Sequence, residues 1–186
     1  MKITETDLAG VLIIEPQVFK DTRGFFFEAF HGQRYAEHGI NVNFVQDNFS
    51  RSTQGVLRGL HYQLTHQQGK LVWITRGKIF DVVVDVRRGS PTFGKSLITH
   101  LSEDQPRQIY IPPGLAHGFC VLSEQADFCY KCSDYHHPGA ERGIIWNDPS
   151  LQIPWPVTNP VLSSKDQLFM GLQDINPEEL PRYESK

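Results

Sequence analysis

The stretch Arg58-Gly59-Leu60-His61-Tyr62-Gln63, followed shortly by Lys70, is the densest cluster of reactive side chains in this 186-residue sequence. An imidazole whose ordinary pKa is near ~6.5 can take or give a proton at neutral pH. Cations close to it can stabilise the anion that proton removal leaves behind. His117 and Tyr130 lie further along, on segments that read as strands, and the five groups could meet at one end of a sheet. Two other motifs lack what their chemistry needs. Gly89-Ser90-Pro91-Thr92-Phe93-Gly94-Lys95-Ser96 fits the phosphate-loop pattern. That loop requires a long helix after the lysine and a later apolar strand ending in Asp, and neither follows, so the segment reads as a turn between strands. Cys129 and Cys132 form a CxxC. On a strand, residues three apart face opposite sides, and no second pair completes four zinc ligands. Cys120, Cys129 and Cys132 are therefore read as packing thiols.

The elements that must position these groups are short and β-rich. From about Phe44 to Trp146, apolar alternating runs are separated by Gly and Pro turns, which predicts an antiparallel sandwich or barrel. Leu71–Thr75 and Ile79–Val86 are expected to form a hairpin across Arg76-Gly77-Lys78. Gln108–Ile111, His117–Leu122 and Ala126–Ser133 are further strands. Alternation groups Tyr130 with Phe128 and Cys132, opposite Lys131. Helical signals are few: Gln33–His38 before Gly39, and a run from Ser164 to Leu172 that opens with capping-box spacing. Six of twelve prolines follow Asp148, so the last fifth is expected to wrap over the sheet as an extended segment.

Length and composition narrow the function classes. The chain is read as one domain over residues 1–186. Eighteen Lys and Arg against 21 Asp and Glu, a net charge of -3, create no field that would hold a nucleic-acid backbone or an anionic membrane. No apolar run has the length of a signal peptide or a membrane span, so a soluble cytoplasmic protein is expected. No Gly-x-Gly occurs, which removes the dinucleotide fingerprint.

Pro112-Pro113-Gly114-Leu115-Ala116-His117 matches the Pro-x-Gly-x-x-His signature of cupin jelly rolls. The companion His-x-His-x4-Glu motif is dismantled: His61 is present, Gln63 takes the second His position, and Gln67 and Gln68 stand where the Glu would fall. Two imidazoles without a carboxylate make a poor Fe, Mn or Zn site. No metal and no cofactor is therefore expected there.

Blocks along nearly the whole chain resemble the dTDP-4-dehydrorhamnose 3,5-epimerases, which are cofactor-independent cupins. They include Asp21-Thr22-Arg23-Gly24-Phe25-Phe26, Gln46-Asp47-Asn48, Gly55 to Gln63, Gln68-Gly69-Lys70-Leu71-Val72, Asp85 to Gly94, Ala116-His117-Gly118-Phe119, Tyr130-Lys131-Cys132, Glu141-Arg142-Gly143-Ile144 and Ser164-Lys165-Asp166. Departures are Trp73, Cys129 and the pair His136-His137. The resemblance implies an all-β, mainly antiparallel jelly-roll sandwich or barrel with a few short peripheral helices. It implies an isomerase acting on dTDP-4-dehydro-6-deoxy-D-glucose, whose C4 ketone acidifies the hydrogens on C3 and C5. His61 would be the base, Asp166 its carboxylate partner, Tyr130 the acid on the opposite face, and Lys70 the cation near the developing O4 charge. Arg23, Arg58 and Lys165 would be the other cations of the substrate site, with Glu28, Gln46, Asp47, Asn48, His117 and Glu141 completing the contacts. The family is a homodimer with exchanged N-terminal strands, so Arg23 and Glu28 are expected to serve a partner's site. The competing readings are a monofunctional 3- or 5-epimerase or ketoisomerase on a related sugar, a metal-dependent cupin dioxygenase, and a non-enzymatic sugar-binding cupin.

Overall fold

The structure is a computed structural model and describes residues 1–184. Thirteen strands carry it: β1 (Lys2–Glu5), β2 (Leu12–Glu15), β3 (Val18–Asp21), β4 (Gly24–Phe27), β5 (Gln46–Thr53), β6 (Leu57–Gln63), β7 (Lys70–Arg76), β8 (Lys78–Asp85), β9 (Ser96–Ser102), β10 (Gln108–Ile111), β11 (Leu115–Val121), β12 (Gln125–Cys132) and β13 (Glu141–Gly143). One short helix, α1 (Gly32–Ala36), falls within a residue or two of the expected place. The strands pair antiparallel into a six-stranded sheet, order β1-β2-β10-β7-β12-β5, and a five-stranded sheet, order β13-β6-β11-β8-β9. β3 and β4 form a separate two-stranded arm. The expected all-β antiparallel architecture is what the chain adopts. Among the described residues no helix is long and apolar enough to cross a membrane.

Three apolar layers hold the sheets. Val72, Ile74, Ile109 and Phe128 of the larger sheet meet Ile79, Val83, Leu115 and Phe119 of the smaller one in the central core. Phe80, Val82, Val84 and Val86 point the other way and are covered by Leu151, Leu172, Ile175 and Leu180. β8 is thus buried on both faces, which is why it reads as a nearly continuous apolar run rather than an alternating one. The Pro-rich C-terminal segment wraps the smaller sheet as expected. Tyr35 on α1 and Ile40 just after it cover Leu71 and Tyr110 on the outer face of the larger sheet.

Two local expectations are corrected. β7 and β8 do not form a hairpin: β7 pairs with β10 and β12, whereas β8 pairs with β9 and β11. Gly77, at φ +81°, carries the chain from one sheet to the other, and a Cβ there would stand 2.1 Å from the Gln125 carbonyl oxygen. The apparent hairpin spacing is instead a corner of the sandwich. The run from Ser164 to Leu172 also fails to become one helix. It makes a single 3-10 turn at Asp166–Leu168, because the following chain must extend for Met170 to accept the Ile145 N–H at 2.9 Å. The first N–H of that turn is capped by Ser163 Oγ at 3.1 Å, one residue before the expected cap. The phosphate-loop look-alike is the β8–β9 turn. Its organiser is Asp85, whose carboxylate accepts from the Arg87 guanidinium at 2.9 and 2.7 Å and from Ser90 Oγ and Thr92 Oγ1 at 2.6 Å each.

Candidate active site

The two sheets bring different side chains to a common cavity of about 650 Å³. From the smaller sheet come Arg58 and His61 on β6 and His117 on β11; from the larger come Lys70 on β7 and Tyr130 on β12. A second cavity of about 240 Å³ is lined by Gln46, Asn48, Gln63, Cys132 and Glu141, and it shares His61, Lys70 and Tyr130 with the first. The three shared side chains therefore stand at the junction of the two compartments.

Strict alternation would put Arg58 and His61, three apart, on opposite faces of β6. The ladder with β11 removes the conflict, because His117 pairs with His61 while Phe119 pairs with Arg58. β6 spends one extra residue there, a bulge of the kind that re-aims side chains. Gly59 makes it feasible: its φ is +121°, and a Cβ would stand 2.6 Å from Gly118 Cα and 2.8 Å from the His117 carbonyl oxygen. Leu60 then falls into the outer apolar layer.

His61 Nε2 lies 2.8 Å from Asp166 Oδ1, and Asp166 Oδ2 accepts the Gly59 N–H at 3.3 Å. Asp166 is only 2 % exposed. Burial alone would push its carboxyl up, but the bonds from His61, Gly59 and Ser163 hold it below the usual 3.8. A carboxylate so held fixes the imidazole's tautomer and stabilises its charged form. The other ring nitrogen, Nδ1, is 4.0 Å from Glu141 Oε1, and Phe169 meets the ring edge-on with centroids 5.7 Å apart. His117 repeats the pattern with a buried partner, Nε2 to Asp81 Oδ2 at 2.9 Å, and stacks on Phe128.

Across the cavity, burial lowers the Lys70 amine below its ordinary 10.5, opposed by the neighbouring Cys132 and Glu141. Burial raises the Tyr130 phenol above 10.0, with Cys132 adding to the rise and Arg58 opposing it. The Tyr130 phenol is thereby held in its neutral form. Lys165 Nζ sits 2.6 Å from Glu141 Oε1, and burial of Glu141 is outweighed by Lys165 and His61, which hold its pKa down.

The model of the dTDP-4-dehydrorhamnose 3,5-epimerase family matches residues 5–174. The chain belongs to that family. An epimerase of this name from Shigella flexneri is 54% identical over 168 residues, covering 89% of this chain and 93% of the relative. One from Pseudomonas aeruginosa is 54% identical over 178 residues, covering 95% and 98%. Among solved structures, the dTDP-6-deoxy-D-glucose-3,5-epimerase of Legionella pneumophila in complex with dTDP-4-keto-L-rhamnose superposes with a TM-score of 0.96 at 53% identity, covering 99% of each chain. A 3'-monoepimerase from Streptomyces bikiniensis, in complex with dTDP-quinovose, superposes at 0.90 with 33% identity.

Membership of the epimerase family sharpens what the sequence reading grouped and what the chain keeps apart. His61, Asp166, Lys70, Tyr130, Arg58, His117 and Lys165 line the larger cavity, and Gln46, Asn48 and Glu141 line the smaller. Asp47 does not join them: it sits between Gln46 and Asn48 on β5, faces the other way and pairs with Lys131 Nζ at 2.9 Å. Arg23 and Glu28 also lie outside both cavities of their own chain. Arg23 is at the tip of the β3–β4 arm against Asp21, and Glu28 bonds Arg34 at 2.8 Å. Several contributors escaped the sequence reading. Asp81 carried a signal, as a charge on the β8 face it shares with Ile79, Val83 and Asp85. Gly59, Ser163 and Phe169 carried none, because their roles depend on a bulge and a distant loop.

Proposed function

We propose that this chain epimerises dTDP-4-dehydro-6-deoxy-D-glucose at C3 and C5, giving dTDP-4-dehydro-β-L-rhamnose, and that it does so in the cytoplasm. The observation that carries the reading is the opposition across one cavity of His61, backed by buried Asp166, to Lys70 and Tyr130 on the facing sheet. Inverting a carbon beside a ketone needs a base on one face of the ring and an acid on the other. His61 removes the hydrogen from C3 or C5, and Asp166 stabilises the imidazolium that results. The electrons of the broken C–H bond move into the ring, leaving an enolate with its charge on O4. Lys70 supplies the compensating positive charge, a role worth ~3–4 kcal/mol where it has been measured elsewhere. Tyr130 then returns a proton from the other side. Solvent takes the proton from His61 and restores the one on Tyr130, which resets the pair for the second carbon. Each step moves a proton only, so the cycle calls for no redox group.

Arg58 and Lys165 are suited to the diphosphate, Arg by its forked donors. We further propose a homodimer in which the β3–β4 arm of one protomer reaches the other's cavity with Arg23 and Glu28. Phe19, Phe25 and Phe26 on that arm are 55, 60 and 67 % exposed, an apolar surface that a second copy would cover.

Proton NMR of the reaction in D2O tests the reading. Deuterium at both C3 and C5 is expected, and His61→Ala or Asp166→Ala should slow turnover by ~10²-fold or more. Exchange at one carbon alone would instead assign the chain to the monofunctional class, which the Streptomyces bikiniensis likeness keeps in view.

A further inference from the structure

We propose that His66, Asp134 and His137 bind one divalent transition-metal ion of the zinc class, at a site separate from the epimerase cavity. The site joins two loops. One leads from β6 to β7 and carries His66; the other follows β12 and carries Asp134 and His137. The two imidazole rings stack with centroids 3.8 Å apart and planes at 17°, and His66 Nδ1 lies 3.4 Å from Asp134 Oδ2. One donor atom from each of the three residues falls within 4.8 Å of the other two.

The loops hold this arrangement by contacts that do not involve the donors themselves. Gln63, only 6 % exposed, donates from Nε2 to the His66 carbonyl at 2.6 Å, and its Oε1 accepts the His137 N–H at 2.8 Å. One buried amide thus fixes both histidine backbones. Gln68 Nε2 donates to the Asp134 carbonyl at 2.9 Å, and the Gly69 N–H donates to Ser133 Oγ at 2.7 Å. The Tyr135 N–H takes Asp134 Oδ1 at 2.7 Å, which leaves Oδ2 facing His66. His66 itself has φ +53°, a left-handed conformation uncommon for a residue with a side chain.

The donor set selects the ion class. Two imidazole nitrogens and one carboxylate oxygen suit zinc, copper or nickel, with water at the remaining position. Calcium and magnesium want six or more oxygens and find three protein donors here, two of them nitrogen. Tetrahedral bonds of ~2.0–2.1 Å place ligand atoms roughly 3.3 Å apart, so the donors close by about 1.5 Å at most, and the His66 ring must also turn out of the stack to aim its in-plane lone pair at the ion, a movement open to this exposed side chain. The inference does not rest on the proposed reaction.

Titration of the chelator-stripped full chain with ZnCl2 by calorimetry tests the site. One ion per chain is expected, with no heat from MgCl2. His66→Asn, which tolerates a left-handed backbone, and His137→Gln should each weaken binding about tenfold or more. Far-UV circular dichroism verifies that both variants are folded. The ion should persist in His61→Ala. Zinc binding that is absent, equal in the loop variants and the parent, or lost in His61→Ala overturns the proposal.

Discussion

Lys70 and Tyr130 show how one environment sets two side chains for different work. Both lie in the space between the sheets, and burial acts on each against its charged form: it lowers the amine and raises the phenol. Of the two shifts, only the amine's brings the loss of its neutral-pH form to lower pH. Lys70 is charged below its folded pKa and neutral above it, so turnover should fall on the alkaline side below the ordinary 10.5 of a lysine. Lys70→Arg supplies a cation that does not titrate in this range. The variant should keep some activity and lose that early alkaline fall. A pH profile of kcat with the same alkaline limb in both proteins would show that Lys70 does not set it. Asp166 works in the opposite sense, because its several bonds outweigh the burial that would otherwise protonate it.

At the scale of elements, the site depends on places where the strand pattern breaks. The period-two pattern made the antiparallel sheets and the shared strand face of Phe128, Tyr130 and Cys132 legible from the residues alone, and the late prolines did the same for the C-terminal wrap; alternation could not say that this face of β12 is the inner one. It could not show that β6 carries a bulge at Gly59, so the shared face of Arg58 and His61 was invisible to parity. It also mistook the Gly77 corner for a hairpin, because a turn of that length serves both purposes. The β8–β9 turn was legible as a turn but not as a charged lock. There Asp85 is fully buried, and although burial pushes its carboxyl up, Arg87, Ser90 and Thr92 pull it below 3.8. Asp85→Ala leaves Arg87 buried without its partner, which should cost about 3–5 kcal/mol of stability. Because the folded pKa is depressed, this contribution is complete above pH 3.8 and is lost as pH falls through the lower folded value. Urea midpoints of parent and variant should therefore differ strongly at neutral pH and converge in acid. A difference that holds constant with pH would remove the carboxylate from the explanation.

Across the whole molecule, the placement of Arg23 carries the most consequence. It lies on an arm that pairs only with itself among the described strands, carries three exposed phenylalanines, and sits away from the cavity the resemblance assigns it to. One chain therefore brings together His61, Asp166 and Tyr130, the proposed base, carboxylate and acid, but presents its Arg23 elsewhere. A second copy resolves this if arms cross between protomers, and the consequence is a complementation pattern. Homodimers of Arg23→Ala lack the arginine at both sites, and homodimers of His61→Ala lack the base at both. In a mixed dimer, one site combines an intact His61 with an intact arm from its neighbour, while the other carries both lesions. Co-expression of the two variants should then restore activity far above the sum of the two alone. Random pairing makes half the dimers mixed, each with one working site of two, so about a quarter of parental activity is the ceiling. If co-expression gives only the sum, Arg23 serves its own chain's chemistry or none, and the exposed arm needs a different occupant.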